Sequence, residues 1–221
     1  MRLYYFTSSE HAVSNIELQR IKVSIINELN DPFELLAADL LDPRHRNAFF
    51  KFKNELNKST GIISFSASKS NPLLWGHYAV KHTGMALGFH ITDGSLHEVN
   101  YTSNRPKFEF DEKSQKIING QKLVGNILRT KFLDWKYEEE HRLYVNLEES
   151  DKSTGLYFQK FTSSLILKEV ILGLKCLNPI EEIRELKNIK NTDIKVSKAG
   201  MALRSFKVIE DRDYRKVIKS I

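Results

Sequence analysis

Alternating and helically spaced hydrophobic positions divide the chain into short strands and helices. Apolar and polar residues alternate where strands are predicted, and apolar residues recur every three or four positions where helices are predicted. The predicted strands are 3–6, 21–25, 61–66, 85–91, 99–101, 142–147, 155–161, 168–173, 193–197 and 204–209. The predicted helices run from Thr7 to about Arg20, and over 42–57, 71–78, 111–133 and 179–189.

Local signals mark where these helices begin. Thr7-Ser8-Ser9-Glu10 has the form of a capping box with Thr7 as the cap, and both Asp42 and Asn71 precede a proline, as N-caps often do. A turn is predicted over 30–34, because the residue before a proline is driven out of the helical region.

The order of the elements indicates a single α+β domain over residues 1–221. Strands occur in runs and helices lie mostly in the first two thirds, which favours α+β over a doubly wound α/β fold. No stretch rich in Pro, Gly and Ser divides the chain of 221 residues. We therefore expect a central mixed or antiparallel sheet with peripheral helices.

Composition indicates the cellular compartment of the protein. Hydrophobic residues make up 41% and charged residues 28%, and no apolar run is long enough to cross a bilayer. The amino terminus has too few apolar residues for a secretory signal. A single cysteine, Cys176, excludes an internal disulfide. These features predict a cytoplasmic protein without a membrane partner.

Positive charge is concentrated in the second half of the chain. Residues 111–221 carry 22 Lys and Arg against 17 Asp and Glu, whereas residues 1–110 carry 12 against 11. Basic positions from Arg204 and Lys207 through Lys219 offer contacts to phosphates, although Glu210, Asp211 and Asp213 interrupt them. Nucleic acid is therefore one candidate partner, and solubility alone is the other explanation of the charge.

The common motifs of phosphate-binding loops, dinucleotide sites, nucleophile elbows and zinc helices are absent from the sequence. His77 and His82 are five residues apart and would lie on different helix faces, and Asp31 with Glu34 is explained by a turn followed by a helix start. We expect no metal site.

An acidic segment is the main candidate for chemistry. Trp135-Lys136-Tyr137-Glu138-Glu139-Glu140-His141-Arg142 leads into the predicted strand 142–147. If strand alternation extends back through it, Glu138, Glu140 and Arg142 share one face and Glu139 lies on the other. Adjacent carboxylates repel, so the arrangement requires a compensating cation, open solvent or a role in stabilising positive charge.

Several blocks resemble the bacterial domain-of-unknown-function family 2971 (DUF2971) in order over nearly the whole chain. They are 3–7, 29–34, 63–66, 74–79 with Gly84 and Gly88-Phe89, and 135–142, with His141 where a tryptophan is usual. Three blocks are also distantly similar to the DarT-type ADP-ribosyltransferases: Tyr5-Phe6-Thr7, Ser64-Phe65-Ser66 through Trp75, and Glu138-Glu139-Glu140. Tyr5 stands where that family has a histidine that holds the ribose.

The second resemblance implies an ADP-ribosyltransferase-like fold, NAD as the substrate and roles for particular side chains. Glu140 would stabilise positive charge on the ribose, and Glu138 would orient or deprotonate the acceptor. The residues implied in cofactor binding are Tyr5, Thr7, Ser64, Ser66 and Tyr78.

Three functions stay open from the sequence. The first is an enzyme that transfers ADP-ribose from NAD to a nucleic acid or protein, in a bacterial toxin or phage-defence context. The second is a non-catalytic interaction or nucleic-acid-binding module, in which Glu138 or Glu140 pairs with Arg142 or another cation. The third and least favoured is a metal-dependent nuclease that uses Asp31, Glu34, Glu138 and Glu140.

Overall fold

A sheet of ten strands runs through the described part of the chain. A computed structural model describes residues 1–31, 33, 40–105, 110–111, 113–114, 116–118 and 125–211. The ten strands are β1 (Arg2–Thr7), β2 (Arg20–Ile25), β3 (Thr60–Ser66), β4 (Met85–Ile91), β5 (Leu96–Glu98), β10 (Glu140–Asn146), β11 (Tyr157–Lys160), β12 (Leu165–Leu172), β13 (Lys195–Met201) and β14 (Val208–Glu210).

The remaining strands form two small sheets, and the helices lie around the large one. β6 (Asn100–Thr102) pairs with β9 (Thr130–Phe132), and β7 (Phe110–Asp111) pairs with β8 (Lys116–Ile117). The named α-helices are α1 (Ser9–Glu17), α2 (Pro43–Ser59), α3 (Pro72–Tyr78) and α4 (Ile180–Glu185), with 3-10 helices over Ile26–Glu28 and Leu133–Glu138. None of the helices described is long and apolar enough to cross a membrane.

The large sheet is mixed. Its strands run in the order β11-β2-β3-β1-β4-β12-β13-β14, and β10 pairs with β3 and β5 beside this path. Within the described ladders of this sheet, β12 and β13 are parallel and the other pairs are antiparallel. The prediction of a mixed α and β fold around a mixed sheet is confirmed, whereas the likeness to ADP-ribosyltransferases stays a prediction.

The sheet divides into a fork at β3. One edge of β3 pairs with β10 along its whole length. On the other edge, Ile62 pairs with Ser24 of β2 and Ser66 pairs with Tyr4 of β1. Neither of these two ladders includes Ser64, because β1 and β2 separate from β3 on either side of it. We call the resulting gap between β1 and β2, beside Ser64 of β3, the fork.

The hydrogen-bond pattern shows which way the backbone of Ser64 points. Ala67 N donates to Glu139 O at 3.0 Å, and Leu147 N donates to Ser59 O at 2.9 Å. Since neighbouring residues of an antiparallel strand direct their peptide groups to opposite edges, the odd-numbered residues of β3 bond to β10. The peptide N–H and C=O of Ser64 therefore point into the fork.

Hydrophobic packing holds the two faces of the sheet. One face contributes Leu3, Phe65 and Phe89, all almost fully buried, to the largest core cluster, which also includes residues of α1 and α4. On the other face, Trp75 of α3 is fully buried and its ring meets that of Phe6 edge to face, with centroids 5.2 Å apart. Trp75 anchors α3 on β1, close to the fork.

Several helix and strand predictions need correction, among them the helix predicted over 179–189, which ends at Glu185, and the strand predicted from 168, which begins at Leu165. The cap of α1 is Ser8, whose side chain accepts from His11 N at 3.1 Å, and the helix ends at Glu17 instead of Arg20. In the described part of 111–133, α-helix is found over 125–128 alone among these residues, and short strands include Lys116–Ile117 and Thr130–Phe132, because the backbone of 130–132 pairs with β6 instead of continuing a helix. Strand β14 begins at 208 instead of 204. Of the predicted turn over 30–34, Pro32 and Glu34 lie outside the described residues, and Phe33 N donates to Asp31 Oδ1 at 2.9 Å.

The corrected cap gives a direct stability test. Changing Ser8 to alanine removes the acceptor for His11 N, so we expect the free energy of unfolding to fall by about 0.5–2 kcal/mol. Urea denaturation of both proteins would measure the difference. A neutral Ser8→Ala substitution would indicate that the helix is capped from another position, such as Thr7.

Candidate functional site

The fork holds a cavity of about 230 Å³, here called the fork cavity. Its walls come from β1, β2, β3 and α3, from the segment 28–30, and from one charged side chain each of β9, the second 3-10 helix and β10. The lining residues are Tyr4, Tyr5, Phe6, Lys22, Ser24, Glu28, Leu29, Asn30, 62–66, Leu74, Tyr78, Lys131, Glu138 and Glu140. Polar and aromatic side chains of β1 and β2, the two strands that separate at the fork, therefore line the cavity.

Two buried carboxylates share one lysine at the wall of the fork cavity. Lys131 Nζ lies 2.6 Å from Glu138 Oε2 and 3.1 Å from Glu140 Oε2. All three residues are buried. The lysine supplies the compensating cation that two neighbouring carboxylates require, and it also lies 4.9 Å from the centre of the Trp135 ring.

Glu140 has a second cationic partner in Arg142, which is fully buried. Arg142 Nε donates to Glu140 Oε1 at 2.8 Å, and its Nη2 donates to Glu140 Oε2 at 3.0 Å. The same guanidinium donates through Nη1 to Leu128 O at 2.9 Å. This two-point contact fixes the orientation of the Glu140 carboxylate.

The two carboxyl groups differ in their pKa values. Burial alone would raise the pKa of Glu140, but the Arg142 guanidinium, with help from Lys131, outweighs it and lowers that pKa to about 2. For Glu138, burial has the larger effect and raises the pKa in spite of Lys131. Glu140 therefore stays ionised at neutral pH, whereas Glu138 accepts a proton more readily than an ordinary glutamate.

A turn of the backbone brings Glu138 and Glu140 together, and the alternation of side chains along one strand does not. β10 begins at Glu140, and Glu138 ends the 3-10 helix before it. Glu139 lies between them. Its side chain is exposed, and its backbone has the left-handed conformation, with φ of 46°. The predicted extension of the strand back to 138 is wrong, although Glu138, Glu140 and Arg142 do form one cluster that excludes Glu139.

Ser66 and Tyr78 support Glu138 from two sides. Ser66 Oγ donates to the backbone carbonyl of Glu138 at 2.5 Å, which fixes the turn on β3. The Tyr78 hydroxyl donates to Glu138 Oε1 and accepts from Asn30 Nδ2 at 2.8 Å. Burial, followed by the charge of Glu138, raises the pKa of Tyr78, so its hydroxyl remains a donor at neutral pH.

Six of the seven predicted site residues line the fork cavity: Tyr5, Ser64, Ser66, Tyr78, Glu138 and Glu140. Thr7 is buried at the end of β1 and is not one of the lining residues. Tyr5 is half-buried, and burial raises its pKa to about 12, so its hydroxyl is neutral. Ser64 faces the cavity and donates a hydrogen bond that helps to lower the pKa of Glu140.

Sequence reasoning missed several residues of the site. Lys131 fell inside the predicted helix 111–133, and Tyr101, whose hydroxyl accepts from Glu140 N at 2.8 Å, had no signal beyond its place in a short strand. Lys22 and Ser24 were recognised only as part of an alternating strand. These residues reach the cavity, or in the case of Tyr101 the start of β10 beside it, through tertiary pairing, which no local pattern encodes.

The described residues give no support to a metal centre. Among them, no group of three or more His, Cys, Asp or Glu side chains is arranged to hold a metal ion. The ammonium group of Lys131 lies between Glu138 and Glu140, and Asp31 Oδ1 accepts from Phe33 N at 2.9 Å. Glu34, the fourth residue of the nuclease hypothesis, lies outside the described residues.

Comparisons with known proteins leave the resemblances as predictions. A scan against protein-family models and searches of curated proteins and solved structures found no match. Any statement about function therefore depends on the geometry of the fork cavity.

The low pKa of Glu140 predicts how acid affects stability. A depressed carboxyl pKa stabilises the folded state above the unfolded pKa, and this stabilisation is lost as pH falls through the folded pKa. A shift from 4.5 to about 2 corresponds to about 3 kcal/mol at pH 7. We expect Glu140→Gln to be that much less stable than wild type at pH 7, and the difference to shrink as pH falls from 4.5 towards 2.

Urea unfolding at pH 7 and pH 3 would measure this dependence. Glu139→Gln, a change at the exposed neighbour, is the matched control and should follow wild type at both pH values. A Glu140→Gln deficit that is the same at pH 3 as at pH 7 would contradict the assigned ionisation of Glu140.

Proposed function

We propose that the protein is an ADP-ribosyltransferase-like enzyme that cleaves NAD in the fork cavity and transfers ADP-ribose to a macromolecule. The observation that carries the proposal is the pair of carboxylates with opposite pKa shifts at one cavity wall. Pairs of titratable groups whose surroundings separate their pKa values are typical of acid and base assignments in enzymes.

Each carboxylate matches one part of the proposed reaction. When the bond between the nicotinamide nitrogen and the ribose C1′ breaks, the bonding electrons leave with nicotinamide and positive charge develops on the sugar. Glu140, which is ionised at neutral pH, would stabilise that charge electrostatically. An acceptor hydroxyl or amine then forms a bond to C1′, and Glu138, whose pKa is raised, takes up the proton that the acceptor loses.

The fork supplies a further match to NAD. The peptide N–H and C=O of Ser64 point into the opening, and they complement the carbonyl and amino groups of the nicotinamide carboxamide. Aromatic side chains of Tyr5 and Tyr78 line the same space and would pack on the pyridinium ring. A neutral Tyr5 replaces the histidine of the DarT-type enzymes, so the ribose would be held by a phenol hydroxyl.

The volume of the cavity limits which part of NAD it encloses. At about 230 Å³ it is smaller than the ~300–1,000 Å³ usual for pockets that enclose a whole drug-sized ligand. The nicotinamide and its ribose would occupy the fork, where the acceptor has to reach C1′, while the adenosine half would lie outside it.

A non-catalytic interaction module is the second candidate, and the contacts of Glu140 favour it. Arg142 and Lys131 together engage both carboxylate oxygens. Such a closed ion-pair cluster also serves as a purely structural element, which organises the start of β10 without any substrate. The two candidates differ in whether the cavity turns over NAD.

The test is a transfer assay with the wild-type protein. NAD labelled in its adenosine half is incubated with the protein and either nucleic acid or a bacterial lysate, and both free nicotinamide and labelled macromolecules are quantified. We expect nicotinamide release together with labelled product. Absence of both would favour the non-catalytic module, and cutting of nucleic acid that depends on Mg²⁺ would favour a nuclease.

A further inference from the structure

A second cavity lies at the other end of α3, against the turn between β13 and β14. Its volume is about 580 Å³, more than twice that of the fork cavity. We call it the hairpin groove and define it by its lining residues: Pro72, His82, Leu174, Lys175 and 201–208. Backbone bonding holds the hairpin in place, because Val208 N donates to Ser70 O at 2.8 Å.

Large apolar side chains at the hairpin groove are open to solvent. Leu203 is 97% exposed and Phe206 is 99% exposed, and Met201 beside them is 68% exposed. A single exposed apolar residue is ordinary, but several at one turn, next to an apolar depression, mark an interaction surface. Aromatic and aliphatic anchors of this kind carry most of the binding energy of protein interfaces.

The same surface carries positive charge. Lys175, Arg204 and Lys207 belong to the lining, and of the described residues that line the groove none carries a carboxylate. The rim therefore complements an anionic partner, while the interior of the groove complements apolar side chains.

We propose that the hairpin groove is a docking site for an acidic amphipathic segment of another protein. Apolar side chains of that segment would enter the groove beside Leu203 and Phe206, and its Asp or Glu side chains would pair with Lys175, Arg204 and Lys207. The proposal concerns a surface separate from the fork cavity and does not depend on NAD turnover.

Two other occupants fit the surface less well. A second copy of this chain carries a net charge of +6, and its more basic half includes this surface, so charge opposes self-association here. Single-stranded nucleic acid is bound by positively charged grooves in which bases stack on several aromatic rings. Among the described residues that line the groove, the aromatic rings are the phenyl ring of Phe206 and the imidazole of His82. They are too few to stack a series of bases.

The test begins with a random peptide library displayed on phage and selected against the full chain. Binding of the enriched peptides to wild type is then compared by fluorescence anisotropy with binding to three variants. Leu203→Ser/Phe206→Ser removes the apolar anchors, and Arg204→Glu/Lys207→Glu reverses the charge of the rim. The control is Leu18→Ser, which makes the same kind of apolar-to-polar change at a half-exposed residue that does not line the groove.

We expect the enriched peptides to combine acidic with large apolar residues. Both groove variants should weaken their binding by about tenfold or more, and the control should not change it. Enriched peptides without acidic residues, or peptides that bind both groove variants as well as wild type, would overturn the proposal. So would an oligothymidine that binds the groove while no acidic peptide does.

Discussion

Replacing Arg142 by leucine is expected to lower the free energy of unfolding by about 3–5 kcal/mol. Arg142 is fully buried, donates to both oxygens of Glu140 and also donates to Leu128 O. Its loss leaves the buried carboxylate with Lys131 as its cationic partner among the described residues, and it leaves a backbone carbonyl without this donor. Urea denaturation at neutral pH would measure the change.

Two comparisons make the Arg142 prediction specific. The double variant Arg142→Leu/Glu140→Leu should recover much of the loss, because removing both members of a buried pair avoids the uncompensated charge. Lys58→Ala, which breaks an exposed pair with Glu55, should cost no more than about 0.5 kcal/mol. An Arg142→Leu loss as small as that of Lys58→Ala would show that the buried cluster does not hold β10 in place.

Replacing Lys131 by methionine should produce a loss of similar size, about 3–5 kcal/mol at neutral pH. Lys131 separates two carboxylates that would otherwise face each other in a buried site. Without the ammonium, burial and the charge of Glu140 would raise the pKa of Glu138 further above its unfolded value. The folded variant would therefore bind a proton that the unfolded chain releases.

This proton uptake gives the Lys131 prediction a pH dependence with a definite sign. A carboxyl pKa that is raised on folding favours the folded state at low pH and disfavours it as pH rises. The stability gap between wild type and Lys131→Met should therefore be smaller at pH 4 than at pH 7. A gap of equal size at both pH values would mean that the lysine stabilises the fold by packing alone.

Local sequence signals predicted most of the sheet. Strands 61–66 and 85–91 were predicted from short apolar segments that follow or begin at a glycine, and the structure has them as Thr60–Ser66 and Met85–Ile91. Asp42 and Asn71 cap their helices as expected, since the cap contact is made within two residues. These strands and caps depend on residues that are close in sequence. The local pattern of residues was therefore enough to predict them.

The site was predictable only in part. A compensating cation was one of the three explanations offered for the adjacent carboxylates, and Arg142 was one of the candidates. Lys131 could not be found, because it lies in β9 and reaches the pair through tertiary folding. The fork around Ser64 depends on where β1 and β2 leave β3, and such divergence has no local sequence signal.

The most direct test of the proposed function is the rate of nicotinamide release from NAD by the Glu140→Gln and Glu139→Gln variants. Both remove one charge at nearly constant size, but only Glu140 lines the fork cavity. At a temperature where both variants are folded, we expect Glu140→Gln to release nicotinamide about 10²–10³ times more slowly than wild type, and Glu139→Gln to match wild type. Equal rates for Glu140→Gln and wild type would contradict the assignment of Glu140 as the catalytic carboxylate.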